Sequence, residues 1–148
     1  MIIVRVASGI KAHWHIRATE WLMIYPAILF GVVLVYQPEL FETSRSFEQV
    51  SRWASQETWA VGVLLCAAIR LFALTVNGTF KTFPYSPHLR LTATMFGIIF
   101  WSQYSLGLLA AALFNGGAWS GPVFLSTICL AELLNLYRSW SDIARGRK

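Results

Sequence analysis

The chain has 148 residues, 56% of them apolar and only 13% charged, with a formal charge of +5. Soluble domains carry about 25% charged residues, and the apolar residues here gather in blocks too long for one small water-bathed core to hide, so an ordinary soluble domain is excluded. The positive excess would raise nucleic acid as a partner in a soluble protein, but the basic residues cluster at the ends of the apolar blocks, where retention beside anionic lipid accounts for them.

Residues 1–19 alternate apolar and basic positions. Ile3, Ala7, Ile10 and Trp14 recur at helical spacing while Arg5, Lys11 and His15 fall largely elsewhere, which predicts a short amphipathic helix on the cytoplasmic membrane surface. A disordered basic tail is the alternative. The apolar block that follows has no small-residue cleavage site after it, so it reads as a retained span rather than a secretion signal. This first span runs over about 21–36, with Pro26 in its first turns, a residue tolerated in membrane helices when neighbours satisfy the freed carbonyl.

The stretch 38–58 is the longest connection. Glu39, Glu42, Glu48 and Glu57 outnumber Arg45 and Arg52, while Leu40, Phe47, Val50, Trp53 and Ala54 recur every three or four residues. The expectation is an amphipathic helix resting on the outer face. Spans two, three and four cover about 59–76, 91–114 and 119–137. Asn77-Gly78 loosens the second, two prolines, Pro84 and Pro87, enforce a turn before the third, and Asn115-Gly116-Gly117 marks the turn before the fourth. Cys66 and Cys129 sit inside apolar blocks without a CxxC pair, which argues for packing rather than a disulfide framework or zinc site.

Lysine and arginine counts set the orientation. Arg5, Lys11, Arg17, Lys81, Arg90, Arg138, Arg145, Arg147 and Lys148 fall on one side, against Arg45 and Arg52 on the other. The first side is cytoplasmic. The fold expected is therefore an all-α integral membrane protein with four transmembrane helices and both ends inside. It divides into an amphipathic cytoplasmic segment (1–19), a four-helix membrane domain (20–140) and a basic cytoplasmic tail (141–148).

Three spans carry a strongly polar residue at similar depth. Arg70, Gln103 and Glu132 fall within about one helical turn of each other in height. A lone charge at mid-membrane costs about 2.5–3.5 kcal/mol on insertion scales, so Arg70 and Glu132 are expected to face each other, with Gln103 and Asn135 completing the hydrogen bonding. Such a cluster serves either to fix helix register or to line a path for ions, protons or a substrate. Ala93 with Gly97, and Gly107 with Ala111, form small-xxx-small pairs that allow close helix packing, within the chain or between copies.

Catalytic chemistry is sparse. His13, His15 and His88 all lie outside the spans, so haem ligation within the bundle is not expected. His13 and His15 would need a further ligand to hold a metal. No P-loop, HExxH or GxSxG occurs. The expectation is a non-enzyme without metal or cofactor. The four-span plan is similar to that of the small multidrug-resistance exporters, which place a glutamate in the first span; here the only membrane glutamate is Glu132, in the fourth.

A second resemblance rests on Pro87-His88-Leu89-Arg90-Leu91, on Phe100-Trp101-Ser102-Gln103-Tyr104-Ser105-Leu106-Gly107, and on Ala131-Glu132-Leu133-Leu134-Asn135-Leu136-Tyr137-Arg138-Ser139-Trp140. Over residues 58–145 the chain resembles small four-span membrane proteins of tailed phages that infect alpha-proteobacteria, some of them called holin-like. The resemblance implies a phage origin more than an activity. Stable insertion, helix–helix contacts and a polar face without catalytic residues lead to the expectation of a holin-like protein of the bacterial inner membrane, partnered by the lipid bilayer and by copies of itself or another membrane protein, that permeabilises that membrane. Two alternatives stay open: a small ion or solute transporter using Arg70 and Glu132, and a superinfection-exclusion factor or accessory subunit docking through 38–58.

Overall fold

The computed structural model describes residues 14–79 and 83–146, and these are helical throughout apart from short turns. Four helices are long and apolar enough to cross a membrane: α1 (Trp14–Tyr36), α4 (Gln56–Thr79), α5 (Ser86–Phe114) and α6 (Ser120–Gly146). At about 1.5 Å per residue, each exceeds the roughly 30 Å of a hydrocarbon core. Between α1 and α4 lie two short helices, α2 (Leu40–Thr43) and α3 (Glu48–Trp53), separated by a 3-10 turn, Arg45–Phe47.

Each helix outruns its apolar block because helix formation does not stop where hydropathy does. Residues 14–19 form the first turns of α1 rather than a separate surface helix; the rest of the expected amphipathic segment, 1–13, lies outside the described residues. Pro26 has no N–H to offer the Leu22 carbonyl, and its ring crowds that oxygen. The helix accordingly loosens into a turn at Met23 before resuming over Ile24–Tyr36. Asn77-Gly78 does not end α4, which continues to Thr79. The Asn77 side chain instead ties the turn, accepting a 2.6 Å hydrogen bond from Ser86 Oγ. Pro87 sits in the first turn of α5, where a missing N–H costs nothing. Gly116, at φ +70°, turns the chain between α5 and α6, and the amides of Asn115 and Gly117 both close on the Ala111 carbonyl at 2.9 and 3.0 Å.

Helix α5 is the centre of the bundle. Its buried residues step by three or four from Arg90 through Ala93, Gly97, Trp101, Tyr104 and Leu108 to Ala111, with Phe100 beside Trp101, and it packs against both α4 and α6 while α1 packs on α4. Trp59, Phe100, Phe30 and Tyr104 form an edge-to-face aromatic knot with ring centroids 4.7–5.4 Å apart, a geometry worth about 0.5–1.5 kcal/mol per pair beyond area burial.

The connection 38–58 differs from the single surface helix expected. Extended backbone at Ser44 and Ala54 breaks it, and it folds inward over the bundle end. Val50 is fully buried and Phe41 nearly so, and Phe47 stacks on Phe41 at 5.3 Å. Gln56 holds this cap in place. Its Nε2 donates to the carbonyls of Leu34 and Gln37 at 2.7 and 2.6 Å, and its Oε1 accepts from the Phe41 amide at 3.0 Å. It thereby satisfies carbonyls that the end of α1 leaves without helical partners. Glu39, Glu42 and Glu57 remain exposed on the cap.

Candidate functional site

One face of α6 organises the polar interior. Its buried residues run Pro122, Glu132, Asn135, Ser139 and Ile143, with the polar three between two apolar ones. From Glu132 to Ile143 the spacings of three and four line one helix face.

Glu132 meets Arg70 of α4. Arg70 Nη2 donates to Glu132 Oε2 at 2.6 Å, with the residues 4% and 1% exposed. Breaking such a pair by removing one partner costs about 3–5 kcal/mol, because the survivor is left charged and dry. Gly97 of α5 makes room for the pair: a Cβ there would lie 2.5 Å from Glu132 Oε1 and 2.9 Å from Arg70 Nη2. Arg70 Nη1 finds no hydrogen-bond partner. Beside the pair lies a small cavity of about 10 Å³, bounded by Met23, Cys66, Gly97 and Trp101, wide enough for about one water molecule.

Asn135 is fully buried, and its Oδ1 accepts a 2.7 Å bond from Thr19 Oγ1 of α1. Thr19 Oγ1 in turn accepts from Arg138 at 2.9 Å. Gln103 does not join them. It is exposed, in a groove with Trp53, Thr58, Trp59 and Phe100. The reason is rotation and height together: six residues from Gly97 turn a helix through about 600° and advance it about 9 Å, which carries Gln103 roughly 120° away from the ion pair and toward the capped end, not level with it as its position in the span suggested. Ala93, Gly97, Gly107 and Ala111 are all buried, but the two pairs serve different contacts. Gly97 admits the ion pair, while Gly107 admits the cap, where a Cβ would sit 2.6 Å from Val50 Cγ2.

A second ion cluster lies toward the end of the bundle that carries residues 14 and 146. Arg90 of α5 is 1% exposed. Its Nε donates to Glu20 Oε2 at 2.8 Å, Nη2 to Glu20 Oε1, and Nη1 to Asp142 Oδ2 at 2.8 Å. Arg17 Nη1 also donates to Asp142 Oδ2, at 2.7 Å. Four side chains from α1, α5 and α6 thus form a closed set, two guanidiniums against two carboxylates. The bidentate Arg90–Glu20 pair matches the planar fork of arginine to both oxygens of one carboxylate.

Residue typing by depth missed this set, since Arg90 counts as a loop charge when spans are read from hydropathy. A signal existed: apart from Glu132, Glu20 and Asp142 are the only carboxylates outside the 38–58 stretch, and each sits at the same end of a span as Arg90. His15 and His88 are exposed, and His13 lies outside the described residues. Among the described residues, no three or more His, Cys, Asp or Glu side chains gather as metal ligands. No protein-family model, curated protein or solved structure matches the chain.

Proposed function

We propose that this protein is a non-enzymatic, phage-encoded component of a bacterial inner membrane that acts as a holin-like oligomer and permeabilises that membrane. The observation that carries the reading is the two-sided character of α6. One face bears Glu132, Asn135 and Ser139, all buried, with Asp142 beside them; the other exposes Phe124, Leu130, Leu133, Leu134 and Tyr137. A wall helix of a membrane lesion needs a polar stripe toward water and a broad apolar face toward lipid. In the single bundle the stripe is neutralised by Arg70, Arg90 and Thr19, so each copy is stable in the bilayer. Assembly of copies would exchange those internal partners for water and for neighbouring subunits. Phage origin rests on the resemblance over residues 58–145.

The test is induced expression in a bacterial host, with insertion confirmed by membrane fractionation, while a membrane-impermeant dye and culture density are followed. Abrupt dye entry with loss of density supports the reading. Confirmed insertion with no dye entry refutes it. Proton or ion flux in proteoliposomes without dye entry would favour the transporter reading, which has its own support in the small cavity beside Arg70 and Glu132.

A further inference from the structure

We propose that the bundle end bearing the second ion cluster holds a binding site for the phosphate of an anionic phospholipid, seated between the start of α1 and the end of α6. A cavity of about 390 Å³ opens there, lined by His15, Arg17, Arg138, Ser141, Asp142 and Arg145. Pockets that seat small ligands start at about 300 Å³, so a phosphoglycerol headgroup fits the volume.

The charges around it do not balance. Among the described residues, Arg17, Arg90, Arg138 and Arg145 stand against Glu20 and Asp142, an excess of two positive charges, and Asp142 is already shared by Arg90 and Arg17. Arg138 donates to the Thr19 hydroxyl, and among the described residues neither it nor Arg145 meets a carboxylate. These guanidinium donors, with the Ser141 hydroxyl, suit the several acceptor oxygens of a phosphodiester.

Location favours a lipid over a soluble phosphate. Tyr137 lines the same cavity and is 71% exposed. Nearby on the same two helices, Trp140 is exposed and Trp14 stacks on Trp21 with centroids 6.0 Å apart. Tyrosine and tryptophan of this kind gather at the headgroup level of a bilayer, and basic pockets between membrane helices bind phospholipid headgroups. At the capped end, by contrast, Arg52 is already paired with Glu48 at 2.9 Å.

The test uses the full chain, purified in neutral detergent. Thermal stability and bound-lipid mass by native mass spectrometry are measured with added phosphatidylglycerol, cardiolipin, phosphatidylcholine or inorganic phosphate. The anionic lipids should stabilise the protein and remain bound, and phosphatidylcholine should do neither. Arg138→Gln and Arg145→Gln should each weaken anionic-lipid binding about fivefold, and Arg52→Gln should leave it unchanged. Millimolar inorganic phosphate giving the full stabilisation would keep the phosphate site but assign it to a soluble ligand. Equal effects of phosphatidylglycerol and phosphatidylcholine, or an Arg52→Gln loss as large as the others, would overturn the proposal.

Discussion

Replacing Gly97 with alanine adds one methyl group to α5 where the structure has no place for it. The new Cβ would stand 2.5 Å from Glu132 Oε1, 2.9 Å from Arg70 Nη2 and 3.0 Å from Glu132 Cδ, all well inside ordinary van der Waals contact. Both side chains are flexible at their ends, but there is little room for them to move into: the adjoining cavity, about 10 Å³, holds about one water molecule. Overpacking of this kind costs about 1–3 kcal/mol if the pair shifts and survives, and about 3–5 kcal/mol if it parts. The higher helix propensity of alanine returns up to about 1 kcal/mol. With the full propensity gain, the net loss is about 0–2 kcal/mol if the pair survives and about 2–4 kcal/mol if it parts. Gly62→Ala is the control, since its Cβ would meet only Phe100 Cε2 at 3.4 Å, and the propensity gain there should leave stability unchanged or raised by up to about 1 kcal/mol. Equilibrium unfolding of both variants in one detergent reads the comparison. If Gly97→Ala proves as stable as Gly62→Ala, the close approach of α5 to the ion pair is not what holds that helix in register.

Glu132→Gln alone leaves Arg70 charged and dry and should destabilise by about 3–5 kcal/mol, whereas Arg70→Met combined with Glu132→Leu should recover most of that loss; a double-mutant cycle showing no coupling would refute the pairing. Gln56→Leu removes three hydrogen bonds at the end of α1, so a loss of about 1–3 kcal/mol with faster hydrogen exchange at the Phe41 amide is expected. Unchanged exchange there would show that the cap is held by packing alone. Tyr104→Phe should be neutral or stabilising, because the hydroxyl it removes is buried without a partner; a clear loss of stability in thermal unfolding would mean that this hydroxyl is bonded in the membrane.

What could be seen from residue types alone was height. Four apolar blocks, their order, and the common depth of Arg70 and Glu132 all follow from hydropathy and from the cost of an isolated charge in hydrocarbon. Rotation about each helix axis was not visible in the same way, and Gln103 departs in both respects: it faces outward, and it lies about 9 Å along α5 from Gly97, beside Trp59 rather than level with Arg70. The buried stripe of α5, Gly97 with Phe100, Trp101 and Tyr104, sets that rotation through packing volume, and volume is a property of all the helices together. The inward fold of 38–58 was equally hidden, because the Gln56 cap depends on where three backbone groups arrive in space. Arg90, Glu20 and Asp142 escaped for a different reason: charges near span ends read as wetted unless each carboxylate is asked for its partner.

The two ion clusters together do something that neither does alone. Lipid chains are as apolar as leucine, so burial of apolar surface does not choose one helix rotation or register over another inside a bilayer. A single buried pair would anchor α6 at one height and leave it free to swing about that point. Glu132 binds α4 through Arg70, and Asp142, ten positions along the same helix, binds α5 through Arg90 and α1 through Arg17. Anchored at two heights and against three different helices, α6 is left with one register and one rotation. Its exposed apolar face is therefore turned outward by these polar contacts together with the packing of Leu125, Ile128 and Cys129 against the core, and any assembly that draws α6 away from the bundle must rehydrate or re-pair both clusters.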